Sequence, residues 1–185
     1  MIREFKLDEN EKLLWSGRPE PFELKDKTHK SAINTNWVIS TICFLAATIG
    51  FLFVSQAQAV TLPKTIVCIV VFFFIAASVM LRPVSEAKEI RNSKYFITDK
   101  RIVIEEKYDF KSLEVNSEMP CQIKNLDNGT NVIYIGSAVN TPMKKTRYLA
   151  SAGSTTEDGE LTGLILYSVK DGRKIITENT PLILV

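Results

Sequence analysis

One histidine, His29, three cysteines, Cys43, Cys68 and Cys121, and 21 Asp and Glu residues carry whatever proton-transfer, nucleophilic or metal chemistry this sequence can do. They are poorly arranged for it. A histidine-based triad would have to rest on His29, which lies in a polar stretch with no partner motif. There is no C-x-x-C pair, so the zinc constellations built from several Cys and His are absent. Neither G-x-x-x-x-G-K-[ST] nor G-x-G-x-x-G occurs, and no spacing marks two carboxylates as an acid/base pair. The expectation is a chain with no catalytic residues, no metal ligands, no cofactor and no nucleic-acid partner.

The residues left are suited to binding rather than bond-making. Lys100 and Arg101 sit in a TDKR turn, and Lys144, Lys145 and Arg147 form a second basic group. Near an anionic leaflet such charges are worth about 1 kcal/mol each, so both groups are candidate membrane-surface contacts, with a plain solvated turn or loop as the alternative. Ala46 and Gly50 form a small-x-x-x-small face on which helices can approach closely, within one molecule or between two. In EKLLWSGRP (residues 11–19), Leu14 and Trp15 precede Gly17 and Pro19, which redirect the chain. Three readings of that segment are open: a clamp onto a folded domain, a tryptophan at a membrane interface, or a partner-binding peptide.

What positions these residues is a sharply segregated chain. Residues 37–54 (WVISTICFLAATIGFLFV) and 65–81 (TIVCIVVFFFIAASVML) contain no ionisable side chain other than cysteine. At about 1.5 Å per residue they come close to crossing ~30 Å of hydrocarbon, and flanking apolar residues lengthen both. The first run starts too late for a signal peptide, because seven basic and seven acidic residues precede it. The reading is a two-helix transmembrane hairpin. Ten Lys and Arg residues flank its outer ends, from Arg18 to Lys30 and from Arg82 to Arg101, whereas the connecting loop holds only Lys64. That bias places both termini in the cytosol. Trp37 falls at the inner interface, and cytosolic Cys121 is expected to be reduced.

Four regions follow: a polar cytosolic lead (1–36), the hairpin (37–81), a connector (82–93) whose helical spacing at Val84, Ala87 and Ile90 carries the second helix out of the bilayer unless Pro83 marks a kink or a fresh start, and a β-rich domain (94–185). In the last region KYFIT, RIVIEEKY, SLEV, two strands around Asp127-Asn128-Gly129, TRYLAS and LTGLILYSV give about seven short strands. Asn128-Gly129 suits a type I′ turn, and Asn128-Gly129-Thr130 matches a glycosylation acceptor by coincidence on the cytosolic side. The set fits a small antiparallel sandwich or barrel. The closing KDGRKIITENTPLILV fits a hairpin turned at Asp171-Gly172 or a short helix capped by Asp171.

Two motifs together carry a resemblance. ENEKLLWSGRP resembles the Trp-x-Gly-x-Pro lead of bacterial pleckstrin-homology-like (PH-like) membrane proteins, and YFITDKRIVI (residues 95–104) resembles their first hairpin. CQIKNLDNGTNVIYIGS is similar to their later strands, and LYSVKDGRKII to their closing strand and helix. The loop around residues 153–159 does not align. The resemblance implies a bent, roughly seven-stranded all-β PH-like barrel capped by a short C-terminal helix, in a family not characterised as catalytic. Relatives of this fold that bind phosphoinositides carry a fuller basic set than Lys100 and Arg101, followed here by Glu105 and Glu106.

Among function classes, catalysis lacks residues. A transporter built from one subunit lacks ionisable groups within its spans. The expectation is a non-enzymatic, membrane-anchored binding or scaffold module in the cytoplasmic (inner) membrane, acting through a protein partner or self-association. An anionic-lipid-sensing module is the alternative, and a subunit of a transport assembly comes after it.

Overall fold

The computed structural model describes residues 5–25, 29–58, 60–107, 110–140 and 160–184. Two long helices dominate, α1 (Lys30–Ala57) and α2 (Leu62–Asn92). Both are long and apolar enough to cross a membrane, and most of their large apolar side chains stand exposed. They pack through edge-to-face rings, Phe44 on Phe73 (centroids 6.1 Å apart) and Phe51 on Phe72 (5.8 Å). Thr41 and Ser78 each donate to the backbone carbonyl four residues earlier, Trp37 O and Phe74 O, which keeps these hydroxyls satisfied within an apolar stretch.

The connector proves to be part of α2, which runs unbroken through Pro83 to Asn92. Proline offers no N–H to the carbonyl four residues back, and its ring crowds that carbonyl. Here Val79 O is that carbonyl, and it accepts from Asn36 Nδ2 of α1 (3.3 Å), while Met80 O accepts from Trp37 Nε1 (2.9 Å). The neighbouring helix supplies the missing donor, so the helix continues.

The β strands are β1 (Leu13–Gly17), β2 (Lys94–Thr98), β3 (Arg101–Glu105), β4 (Phe110–Glu114), β5 (Pro120–Asn125), β6 (Asn131–Gly136), β7 (Gly163–Val169) and β8 (Ile183–Leu184). They form two four-stranded sheets, in the orders β1-β2-β3-β4 and β7-β6-β5-β8. All pairs are antiparallel except β5 with β8. Among the described residues no ladder joins the two sheets, so the expected closed barrel is replaced by two separate sheets facing one core. A second difference concerns membership. The first sheet begins with β1, from the polar lead rather than from residues 94–185. The C-terminal ambiguity resolves as a helix, α3 (Gly172–Asn179), which precedes β8. The expected strand TRYLAS lies outside the described residues.

The turn between β5 and β6 also departs from expectation. Only Gly129 has positive φ (+78°), so no type I′ turn forms. Instead Leu126 N–H donates to Thr130 O (2.8 Å) across a longer loop, and Asn128 Oδ1 accepts from Thr130 N–H (3.1 Å).

Period-two alternation divides β6 and β7 between two cores. Ile133, Ile135, Leu164 and Leu166 face inward, where Tyr95, Ile97, Ile102, Ile104 and Cys121 meet them. Val132, Tyr134, Ile165 and Tyr167 face outward and are covered by Ala87 and Ile90 of α2 and by Phe22 of the lead. Both faces being covered explains why these strands read as unbroken apolar runs.

Candidate functional site: the N-terminal clasp

The polar lead fastens itself to three parts of the molecule in turn. The first fastening is electrostatic. Glu11, whose side chain is 0% exposed, takes Arg101 Nε (2.8 Å) and a second guanidinium nitrogen (2.8 Å) in a bidentate pair. Thr98 Oγ1 donates to the same carboxylate (2.7 Å), and Asp8 N–H donates to its other oxygen (2.8 Å). Asp8 itself lies 3.0 Å from Arg101. The hydrogen bond from the Arg101 side chain is the main reason that the Glu11 carboxyl is held at about 2 rather than 4.5, against the opposing effect of burial. The same pairing raises Arg101 above its ordinary value. Lys12 and Asp99 then bond in both directions: Lys12 N–H donates to Asp99 Oδ1 (2.8 Å), and Asp99 N–H donates to Lys12 O (3.1 Å). Phe5 stacks on Phe96 (4.5 Å), beneath the Arg101 guanidinium.

The second fastening is β1, antiparallel to β2 with Trp15 opposite Ile97 and Gly17 opposite Tyr95. Trp15 packs on the inner core. Its ring folds over Gly17, where an added Cβ would collide with the ring edge. Glycine is therefore needed two residues after this tryptophan for space. Leu14 is exposed at a register shift in the strand, and Pro19 leads into the next segment.

The third fastening reaches the second sheet and the helices. Glu20 N–H donates to Ser168 O (2.8 Å), a residue with φ of +54°, and Asn128 Nδ2 donates to Pro21 O (3.1 Å). Arg91 of α2 donates to Phe22 O (2.7 Å), and its guanidinium lies over the Phe22 ring. That ring meets Tyr167 edge-on at 4.8 Å. The Tyr167 hydroxyl lies 3.2 Å from His29 Nδ1, at the foot of α1. Tyr95 Oη donates to Tyr167 O (3.1 Å), and burial pushes this phenol up to about 12. Buried side chains thus connect both helices to both sheets.

The other candidate residues are scattered. Lys100 is exposed at the β2–β3 turn, whereas Arg101 beside it is only 22% exposed and engaged with the lead. Lys144, Lys145 and Arg147 lie outside the described residues. Ala46 and Gly50 are exposed on α1, and a Cβ at Gly50 would meet open space, so this pair takes no part in packing within the hairpin. Sequence reasoning missed Glu11, Phe22, Arg91, Asn128 and Tyr167. Their partners lie 69 to 107 residues away or on another element, and no local pattern announces them.

Among the described residues, no three His, Cys, Asp or Glu side chains come together as a metal-binding group. Burial raises the Cys121 thiol to about 11, which suppresses the thiolate. The arrangement is one of attachment: ion pairs, hydrogen bonds and ring contacts that fix the lead and the helices to the sheets. Comparison with known protein families, with characterised proteins and with solved structures finds no match.

Proposed function

We propose that the chain is a non-enzymatic membrane module. Its hairpin crosses the cytoplasmic membrane, and its PH-like β domain is held at the cytosolic face to engage a protein partner or a second copy. The observation that carries this reading is the junction of Phe22, Arg91, Tyr167 and His29. A domain tethered by a slack linker would sample many orientations, whereas side chains packed between helix ends and sheet hold one. Fixing a module at a surface raises the effective concentration of weak contacts. The excess of Lys and Arg at the outer ends of the helices supports a cytosolic placement, and Arg101 on Glu11 leaves Lys100 as the exposed cation of that turn.

The test is cross-linking of the full-length chain in native membranes from Leu14→Cys and, separately, Lys100→Cys. A discrete adduct at twice the chain mass, or at a larger reproducible mass, is the expected result. Absence of any discrete protein adduct from both positions would refute the reading.

A further inference from the structure

A groove of about 380 Å³ runs along one flank of the hairpin, walled by Asn36, Ser40, Cys43 and Ala47 of α1 and by Ile75 and Val79 of α2. Its origin lies in side-chain size. Ser40, Cys43 and Ala47 recur at helical spacing and are small, Ile39 and Phe44 of the same helix also line the groove, and the Phe44–Phe73 and Phe51–Phe72 pairs hold the helices together.

Length decides what fills it. Asn36 to Ala47 spans about 16 Å of helix, close to the ~15 Å of hydrocarbon in one leaflet. A docked helix would want a surface running through both leaflets. The groove instead stops at the level of Phe72, whose ring is engaged by Phe51. Its other end carries polar groups. Asn36 lies there, and Arg82 follows Ile75 and Val79 on the same helical face with its side chain 56% exposed. Arg82 pairs with Glu86 at i,i+4 (2.9 Å), a kind of contact worth only ~0.3–0.5 kcal/mol and readily exchanged. An apolar slot one leaflet deep with a cation at its mouth matches an acyl chain below an anionic headgroup.

We infer that this groove is a phospholipid site, holding one acyl chain of an inner-leaflet lipid with its phosphate against Arg82. The inference rests on the membrane-spanning reading above.

The test uses the full-length chain, extracted in mild detergent, stripped of lipid, and titrated with phosphatidylglycerol or phosphatidylcholine under native mass spectrometry. One phosphatidylglycerol should bind about fivefold tighter than phosphatidylcholine, the ratio expected of one interfacial charge. Arg82→Gln should abolish that preference. Ala47→Phe should remove binding of both lipids. Alkylating Cys43 with a bulky maleimide after folding, in a Cys68→Ser background, should do the same, so a folding defect is not mistaken for a blocked groove. Lipid binding indifferent to Ala47→Phe and to Cys43 alkylation would overturn the inference. So would a dimer that forms through the groove and disappears in those variants. A chain released from cells without detergent would overturn the membrane reading as well, whereas a membrane-embedded chain that binds no lipid would overturn the groove alone.

Discussion

Replacing Glu11 by Gln keeps the shape of the clasp and removes its charge. The guanidinium of Arg101 then retains only the more exposed Asp8 as a charged neighbour in the lead. Two routes give the magnitude. The fall of the carboxyl from 4.5 to about 2 sets an upper bound of roughly 3 kcal/mol by proton linkage. Breaking a fully buried pair costs about 3–5 kcal/mol, but Arg101 keeps 22% exposure, and solvent screening reduces the figure. Both routes converge on ~2 kcal/mol, or about 4–8 °C in melting temperature for a chain of this size. The sign in pH follows from a folded-state value below the unfolded one. The stabilisation is fully present above about 4.5 and is lost as the pH falls toward 2. Thermal melts of the detergent-solubilised chain at pH 7 and pH 3 provide the assay. Glu11→Gln should melt lower than the parent at pH 7, and the gap should narrow by pH 3, where the carboxyl of the unfolded parent is protonated while that of the folded parent is still largely ionised. A gap that is the same at both pH values, or smaller than ~0.5 kcal/mol at neutral pH, would refute an electrostatic clasp.

Gly17→Ala should destabilise by about 1–3 kcal/mol, an overpacking cost, because its methyl meets the Trp15 ring; adding Trp15→Leu should relieve part of that loss in the same melts. Asn36→Leu leaves Val79 O without the donor that compensates Pro83 and should lower stability by ~1 kcal/mol, whereas adding Pro83→Ala should restore it. In intact cells an impermeant thiol reagent should label Gln58→Cys and leave Ser117→Cys unlabelled until permeabilisation; the reverse pattern would invert the topology. Native Cys121 should remain silent on both sides of the membrane, since it is fully buried with a raised thiol value, and its labelling without unfolding would contradict the core packing described here.

The elements legible in the sequence were those written in local pattern. Charge-free runs announced α1 and α2. Alternation and turn residues announced β2 through β6, and apolar content announced β7. Helix α3 was one of two readings left open by KDGRKII. What could not be read was partnership. The EKLLWSGRP segment advertised an unusual tryptophan but not the strand opposite it, because a five-residue strand takes its register from a neighbour distant in sequence. Arg101 looked like a free surface cation because its partner, Glu11, lies 90 positions earlier. The Asn-Gly turn misled for a related reason. The amide of Asn128 bonds Thr130 and Pro21, contacts that a local preference for positive φ does not encode. Barrel closure is likewise a property of which edges meet, and strand count does not determine it.

The pairing of β1 with β2 bears on the hairpin itself. Leu13 lies opposite Thr98, 85 residues away, yet the two strands form one antiparallel ladder. A flexible loop of that length would tax the pairing entropically. The helices remove part of that cost, because Asn36 and Val79, near the outer ends of the apolar runs, are within hydrogen-bond distance. The effective loop then consists of the segments on either side, about half the original length, which lowers the closure cost by about 0.6 kcal/mol. Geometry adds a stricter condition. Strands that share hydrogen bonds must lie on the same side of a bilayer, so the chain between them has to cross an even number of times. Two helices meet that condition, and a single crossing would leave β1 stranded from its sheet. The lead is therefore the first strand of a domain that the chain can complete only after both helices have been made, and its Glu11, Trp15 and Phe22 join that domain to the ends of the hairpin.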